Sequence, residues 1–222
     1  MKLTLKSKSH LLANVWSFVF EPSEPLTWIA GQFIRVELPH ANPDAEGTRR
    51  FFTVASAPYE RRIQISTRLT GTSFKRALEA LEPGGNLNIV DPPAGDFVWT
   101  RSAAPLVFVA QGIGITPFRS ILRQRAHDRR PLSAHLFYTN AGTSIPFQPE
   151  LDALARNSEL QITHLRRPVT PITLAGALPD LAARTVYVSG PHSLIGLLTP
   201  PHNLPAAQLR QDFFPGYTSE NY

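Results

Sequence analysis

QGIGITPFRS, residues 111–120, decides how the chain is read. An apolar run, PLVFVA (105–110), stops at Gln111; Gly112 and Gly114 follow, then Thr116 and Pro117, then a helical pattern. In a parallel α/β sheet, ligands bind outside the carboxyl ends of the strands. Glycine there lets the backbone turn sharply and lets a ligand approach it closely. Pro117 suits the first turn of a helix, because its missing N–H costs nothing at that point. The free N–H groups of the helix start favour an anion such as a pyrophosphate. The stretch therefore reads as a dinucleotide-binding turn, although GxG before a helix also serves as simple packing punctuation.

Outward from this turn, the second half alternates strands and helices. Strands are expected at 105–110, 134–139, 160–165 and 185–189, with helices near 117–127, 149–156 and 192–198. That rhythm means a Rossmann-like parallel sheet with helices on both faces. The first half reads differently. LTLKSKS (3–9), NVWSFVF (14–20), FIRVEL (33–38), RRFFTVAS (49–56), RIQISTR (62–68) and LNIV (87–90) are short, partly alternating and bounded by turn residues. Six such strands in about 90 residues suggest a small antiparallel β-barrel. One helix interrupts them, with Ser73 as its expected N-cap and Phe74, Ala77, Leu78 and Leu81 at helical spacing. The fold class is thus β + α/β. A six-stranded antiparallel barrel domain with one helix covers 1–100, and a parallel α/β domain covers 101–222. The Pro/Gly-rich stretch 91–105 joins them.

Composition narrows the function. The 222 residues are 42% hydrophobic and 18% charged, as in a folded globular protein. No apolar run approaches a membrane span, and MKLTLKSKSH lacks the apolar core of a signal peptide, so a cytoplasmic location is expected. With no cysteine, this chain ligates no iron–sulfur cluster and no cysteine–zinc site, and its seven histidines show no metal-ligand spacing. The net charge of +5 is carried mostly by arginine. Most arginines, Arg119, Arg123 and Arg130 among them, are expected on a solvated surface, and no aromatic-interleaved basic stripe points to nucleic acid.

Four further motifs stand in order with the turn: Ala30-Gly31-Gln32-Phe33, Arg50-Phe51-Phe52-Thr53, Gly71-Thr72-Ser73 and Tyr187-Val188-Ser189-Gly190-Pro191. Pro92-Pro93-Ala94-Gly95-Asp96-Phe97 partly matches a further one. Together they resemble the ferredoxin–NADP reductase family, in which a flavin-binding barrel precedes a nicotinamide-nucleotide domain. The resemblance implies FAD as cofactor and NADH or NADPH as co-substrate. It places Arg50 on the FAD pyrophosphate, Phe52 against the isoalloxazine ring, the Thr53 hydroxyl near flavin N5, and Thr72 and Ser73 on phosphate. Barrel core for Phe52, a surface position for Arg50 and a helix cap for Ser73 are the competing readings. Gly112, Gly114, Thr116, Gly190 and Pro191 would line the nicotinamide nucleotide site, with Thr53 and Ser189 nearest the chemistry. A C-terminal aromatic residue, Phe214 or Tyr217, would cover the flavin; alternatively Phe213 and Phe214 form a last strand.

The chain also departs from the family pattern. Gln111 replaces the first glycine of the turn, Ser189 replaces a cysteine, and the helix after Pro191 looks shortened. Ala141 stands where NADP-preferring relatives commonly carry arginine. Arg166 and Arg167 would substitute if the fold brings them near, and the balance favours NADH. The implied function is an FAD-dependent NAD(P)H oxidoreductase. It would pass electrons to a separate acceptor: an acidic ferredoxin or flavodoxin, a quinone, a free flavin or another small molecule. The alternative is a non-enzymatic FAD-binding electron-transfer or regulatory subunit of a larger complex.

Overall fold

The computed structural model describes residues 1–140, 142, 145–199 and 204–212. Six strands build the first sheet: β1 (Lys2–Leu12), β2 (Val15–Pro22), β3 (Phe33–Glu37), β4 (Arg49–Thr53), β5 (Ile63–Arg68) and β6 (Asn86–Ala94). All pair antiparallel in the order β4-β3-β6-β1-β2-β5. The sheet curls until its outer strands meet, where the Ala55 N–H donates to the Gln64 carbonyl at 2.8 Å. Alternation of side chains sends Leu3, Leu5, Phe18, Phe20, Ile34, Val36, Ile63 and Ile65 into one shared core. Helix α1 (Ser73–Ala80) closes that core with Phe74 and Leu78.

Two details differ from the sequence expectation. β6 continues through Pro92 and Pro93, because β1 pairs only with its first residues and the prolines fall where the register against β3 shifts. The N-cap of α1 is Thr72, which has extended dihedrals and accepts from the Lys75 N–H, whereas Ser73 is already helical and turns its side chain elsewhere.

The second sheet holds β7 (Leu106–Gln111), β8 (Ala134–Thr139), β9 (Gln161–Leu165), β10 (Val186–Ser189) and β11 (Leu209–Gln211), all parallel, in the order β11-β10-β7-β8-β9. Each face has its own core. Phe108, Ala110, Leu136, Tyr138 and Tyr187 pack under α2 (Thr116–His127) and α3 (Gln148–Arg156). Val107, Val109, Phe137, Val186 and Val188 pack under α4 (Pro171–Ala177) and α5 (His192–Leu198). Residue-by-residue alternation in a strand covered on both sides is why the apolar runs are unbroken. The sequence pattern did not disclose α4. The final described strand is Leu209–Gln211, upstream of the Phe213–Phe214 alternative, whose residues lie outside the described set. No helix among the described residues is long and apolar enough to cross a membrane.

Arg119 and Arg123 are a correction. Arg119 is 4% exposed and bonds Glu60 (3.3 Å) and Glu150 (3.0 Å), while Arg123 is half-buried on Glu150 at 2.7 Å. They face the barrel's 55–60 segment, so their side of α2 is buried against the barrel; Arg130 stays exposed.

Candidate active site at the meeting of two strand ends

The order β9-β8-β7-β10-β11 reverses direction between β7 and β10, which makes the carboxyl ends of these two strands the crevice for a ligand. β7 ends at Gln111 and runs directly into the turn Gly112–Ile115 and then α2, with Pro117 in its first turn. Gln111 is still strand: its φ and ψ are −127° and 126°, and it pairs with Thr139. A glycine is not needed there. The left-handed backbone begins at Gly112, with φ 56°. The Tyr138 hydroxyl pins this turn by donating to the Gly112 carbonyl at 2.8 Å, and burial pushes its phenol well above the usual value.

Gly114 has a different task from the expected one of admitting a ligand. A Cβ built on it would lie 2.3 Å from the Ser189 carbonyl oxygen and 2.7 Å from the Gly190 nitrogen. The turn therefore packs backbone against backbone on the end of β10. Gly190 in turn packs under the Cβ of Gln111. Thr116 is buried and donates its hydroxyl to the Ile113 carbonyl at 3.1 Å, so it braces the turn. Pro191 is the extended residue that opens α5.

Thr53, at the end of β4, and Ser189, at the end of β10, come together although 136 positions separate them, and a third residue joins them. The Ser189 hydroxyl donates to Asp212 Oδ2 at 2.9 Å, and the Thr53 hydroxyl donates to the same oxygen at 3.3 Å. The Asp212 N–H is fixed to the Val188 carbonyl at 3.0 Å. Asp212 is 3% exposed; burial pushes its carboxyl up to about 6, against the pull of Ser189 and then Thr53. Sequence reasoning missed Asp212. Its only signal in the sequence is one acidic residue directly before the aromatic stretch 213–217.

On the barrel, Arg50 is 5% exposed, and its guanidinium lies 5.2 Å from the Phe74 ring centroid. Its Nη2 bonds Asp44 Oδ1 at 2.8 Å. The Ser73 N–H (3.1 Å) and hydroxyl (2.8 Å) donate to the other oxygen of that carboxylate. Three donors from β4 and the start of α1 thus converge on one oxyanion, the arrangement a phosphate requires. Desolvation pushes the Asp44 carboxyl up, but Ser73 and Arg50 outweigh it and hold it below the usual carboxylate value. Phe52 gives its ring to the barrel core beside Phe74, with centroids 5.8 Å apart and 8% exposure. That is the core position which was its competing reading.

Two cations overlooked in the sequence complete the cleft. Arg68, at the end of β5, reaches over the glycine turn, its Nη2 3.0 Å from where a Gly112 Cβ would be. Lys75 is lowered to about 8 by burial and then by Arg68 and Arg50. Among the described residues, neither has a carboxylate at ion-pair distance. Farther along the sheet, Thr139 donates to the Arg167 carbonyl at 3.2 Å, which sets the exposed Arg166–Arg167 pair beside the end of β8. Ala141, Phe214 and Tyr217 lie outside the described residues.

Comparison with known proteins agrees with this geometry. Residues 108–196 match the family model of the oxidoreductase NAD-binding domain. Ferredoxin–NADP reductase B of Sorangium cellulosum is 37% identical over 167 residues, which is 72% of this chain and 62% of that protein. This chain therefore spans less than two thirds of that relative's length. The FAD/NAD-binding domain of nitric oxide dioxygenase from Vibrio cholerae superposes with a TM-score of 0.77 at 20% identity, over 96% of this chain and 98% of that one. A ferredoxin NADP+ reductase from Neisseria gonorrhoeae, with bound FAD and NADP, gives 0.73 at 18% identity, over 96% and 97%.

Proposed function

Because this chain belongs to the ferredoxin–NADP reductase-like family, we propose that it is an FAD-dependent NAD(P)H oxidoreductase that delivers electrons to a separate acceptor. The observation that carries the reading is the convergence of Thr53 from the barrel and Ser189 from the parallel sheet on one buried Asp212 carboxylate, at the crevice between β7 and β10. Bound FAD would supply the two-electron chemistry with the nicotinamide. The residues of the chain position, shield and balance charge.

On this reading, residues 1–100 hold the flavin and 101–222 the nicotinamide nucleotide. Arg50, Thr72 and Ser73 hold the flavin phosphates; the convergence of Arg50 and Ser73 on an oxyanion supports that fit. Gly112, Gly114 and Thr116 shape the turn that faces the nucleotide, with Gly190 and Pro191 opposite. Arg68 and Lys75 put positive charge at the cleft mouth, where pyrophosphate would lie. Thr53 and Ser189 fix their hydroxyls on Asp212 and so hold the ends of β4 and β10 at one spacing. Close approach of two reacting rings needs that constancy more than it needs acid or base help. Asp212, raised to about 6 beside Thr53 and Ser189, and Lys75, lowered to about 8 at the cleft mouth, can each exchange a proton near neutrality.

Arg166 and Arg167, beside the end of β8, supply the cations that Ala141 does not, so the NADH reading competes with NADPH on equal terms. The excess of basic residues favours an acidic ferredoxin or flavodoxin as acceptor, and we place the protein in the cytoplasm. The non-enzymatic alternative rested on Gln111, Ser189 and a short α5. Gln111 has ordinary strand geometry and the Ser189 hydroxyl is held by Asp212, so of these three features the short α5 is the one that still favours it. The test is an absorption spectrum of the purified protein, followed by anaerobic titration with NADH and separately with NADPH. A flavin band that bleaches with one nucleotide supports the reading. A bound flavin that stays oxidised with both refutes it in favour of a binding subunit.

A further inference from the structure

The segment between β3 and β4 folds back onto the donors assigned above to the flavin diphosphate. Asp44 takes Arg50 Nη2 with one carboxylate oxygen (2.8 Å) and the Ser73 N–H (3.1 Å) and hydroxyl (2.8 Å) with the other. Its own N–H donates to Ser73 Oγ at 2.9 Å, and His40 Nε2 lies 3.0 Å from the same oxygen. Glu46 takes Arg50 Nε at 2.8 Å. Arg50 Nη1 donates to the carbonyls of Glu46 (3.0 Å), Gly47 (3.0 Å) and Arg49 (2.8 Å). Every nitrogen of the guanidinium is engaged. Two carboxylates face the Arg50 guanidinium, so its own positive charge is already balanced before a phosphate arrives.

We propose that Asp44 is a specificity-determining residue that mimics a phosphate: it holds the Arg50 and Ser73 donors and must leave them before the diphosphate of FAD can bind. The consequence is selective. Riboflavin has no phosphate and can use the Thr53 side of the cleft without moving Asp44. FAD gains the diphosphate contacts only by breaking three hydrogen bonds of nearly the same kind, so its advantage over riboflavin shrinks. The Asp44 side chain is one-third exposed, on a surface turn, so it can swing out without opening the barrel core. This inference rests on the reading that Arg50 and Ser73 receive the flavin diphosphate.

The experiment measures binding of FAD and of riboflavin by fluorescence quenching, for the full chain and for Asp44→Asn. The expected result is FAD binding tightened by about tenfold or more, with riboflavin unchanged within about twofold; tenfold corresponds to about 1.4 kcal/mol. Weaker FAD binding, or an equal change for both flavins, overturns the proposal while leaving the flavin reading intact. If neither flavin binds either protein, the flavin reading falls and this inference with it. Should Asp44→Asn not fold, hydrogen exchange on the unmodified chain decides. FAD at saturation should speed exchange of the Asp44 amide and riboflavin should not. An Asp44 amide that stays protected under saturating FAD overturns the proposal.

Discussion

Replacing Asp212 by asparagine isolates the one buried carboxyl at the centre of the site. Asparagine keeps the size of the side chain and an oxygen that accepts from Ser189 and Thr53, but it cannot ionise. Asp212 has its carboxyl raised from 3.8 to about 6, chiefly by burial, so ionising it within the fold costs about 3 kcal/mol relative to the unfolded chain. For an acid whose folded value lies above its unfolded value, the folded state binds the extra proton between the two. This group's contribution to stability is therefore fully present below 3.8, falls as pH rises from there to about 6, and is flat above. Other carboxylates change over the same range, so the quantity to follow is the difference between variant and parent. Urea unfolding at pH 3.5 and at pH 8 should find Asp212→Asn close to the parent at the lower pH. At the higher pH it should be more stable by a sizeable part of about 3 kcal/mol. Anaerobic single-turnover reduction by the preferred nucleotide should show a pH step near 6 in the parent that is missing in the variant. A stability difference that does not change between the two pH values would refute the assignment of a buried, raised carboxyl at this point.

Gly114→Ala places a methyl 2.3 Å from the Ser189 carbonyl oxygen, where only backbone can yield; a loss of about 1–3 kcal/mol is expected, with weaker nucleotide binding, read by thermal unfolding and by NAD(P)H titration. Arg119→Leu leaves the Glu60 carboxylate, whose side chain is 3% exposed, with the Ala57 N–H at 2.7 Å and, as cations, the more distant Arg123 at 3.7 Å and Arg62 at 3.6 Å. A loss of about 3–5 kcal/mol should follow, partly recovered by adding Glu60→Gln. Desolvation pushes Glu60 up, but Arg119 and the other partners outweigh it and hold it below its ordinary 4.5. Its contribution is therefore present above that value and lost as pH falls through the lower folded one, and this acid-side loss should be blunted in Arg119→Leu when unfolding is followed down to pH 3.

The fold was legible because its signals are local. Strands covered on both faces show as unbroken apolar runs such as 105–110, barrel strands as alternation, and the crevice as glycines before Pro117. What escaped is long-range. α4 is a short helix with one buried residue, Leu174, and offers little periodicity to detect. Asp212 becomes interesting only when folding sets it beside Thr53, 159 positions away. Arg119 and Ser73 show the complementary error. Each residue type suited a bland local role, surface for one and cap for the other. The partners that changed those roles, Glu60 and Asp44, lie 59 and 29 positions off. Thr72 and Ser73 are adjacent hydroxyls, and composition alone cannot say which one caps the helix.

The stretch 111–120 joins the site to the docking of the two halves. Residues 112–115 make the turn at the end of β7; the last two, Arg119 and Ser120, face the barrel. Ser120 donates to the Ser56 carbonyl and Arg119 to the Ala55 carbonyl, both at 2.7 Å. One turn further, the Gln124 side chain accepts from the Tyr59 N–H at 2.9 Å. These bonds grip the segment that follows Thr53 directly. The distance from Thr53 to the glycine turn is thus spanned by about one turn of a single helix rather than by a flexible linker. A helix is stiff over that length, and its docking face is buried and ion-paired, so motion of one half carries the other with it. Ser189 is tied to the same turn by the backbone contact at Gly114. The ends of β4, β7 and β10 therefore keep one geometry, and the segment between β3 and β4, whose Asp44 is one-third exposed, is where the site can adjust.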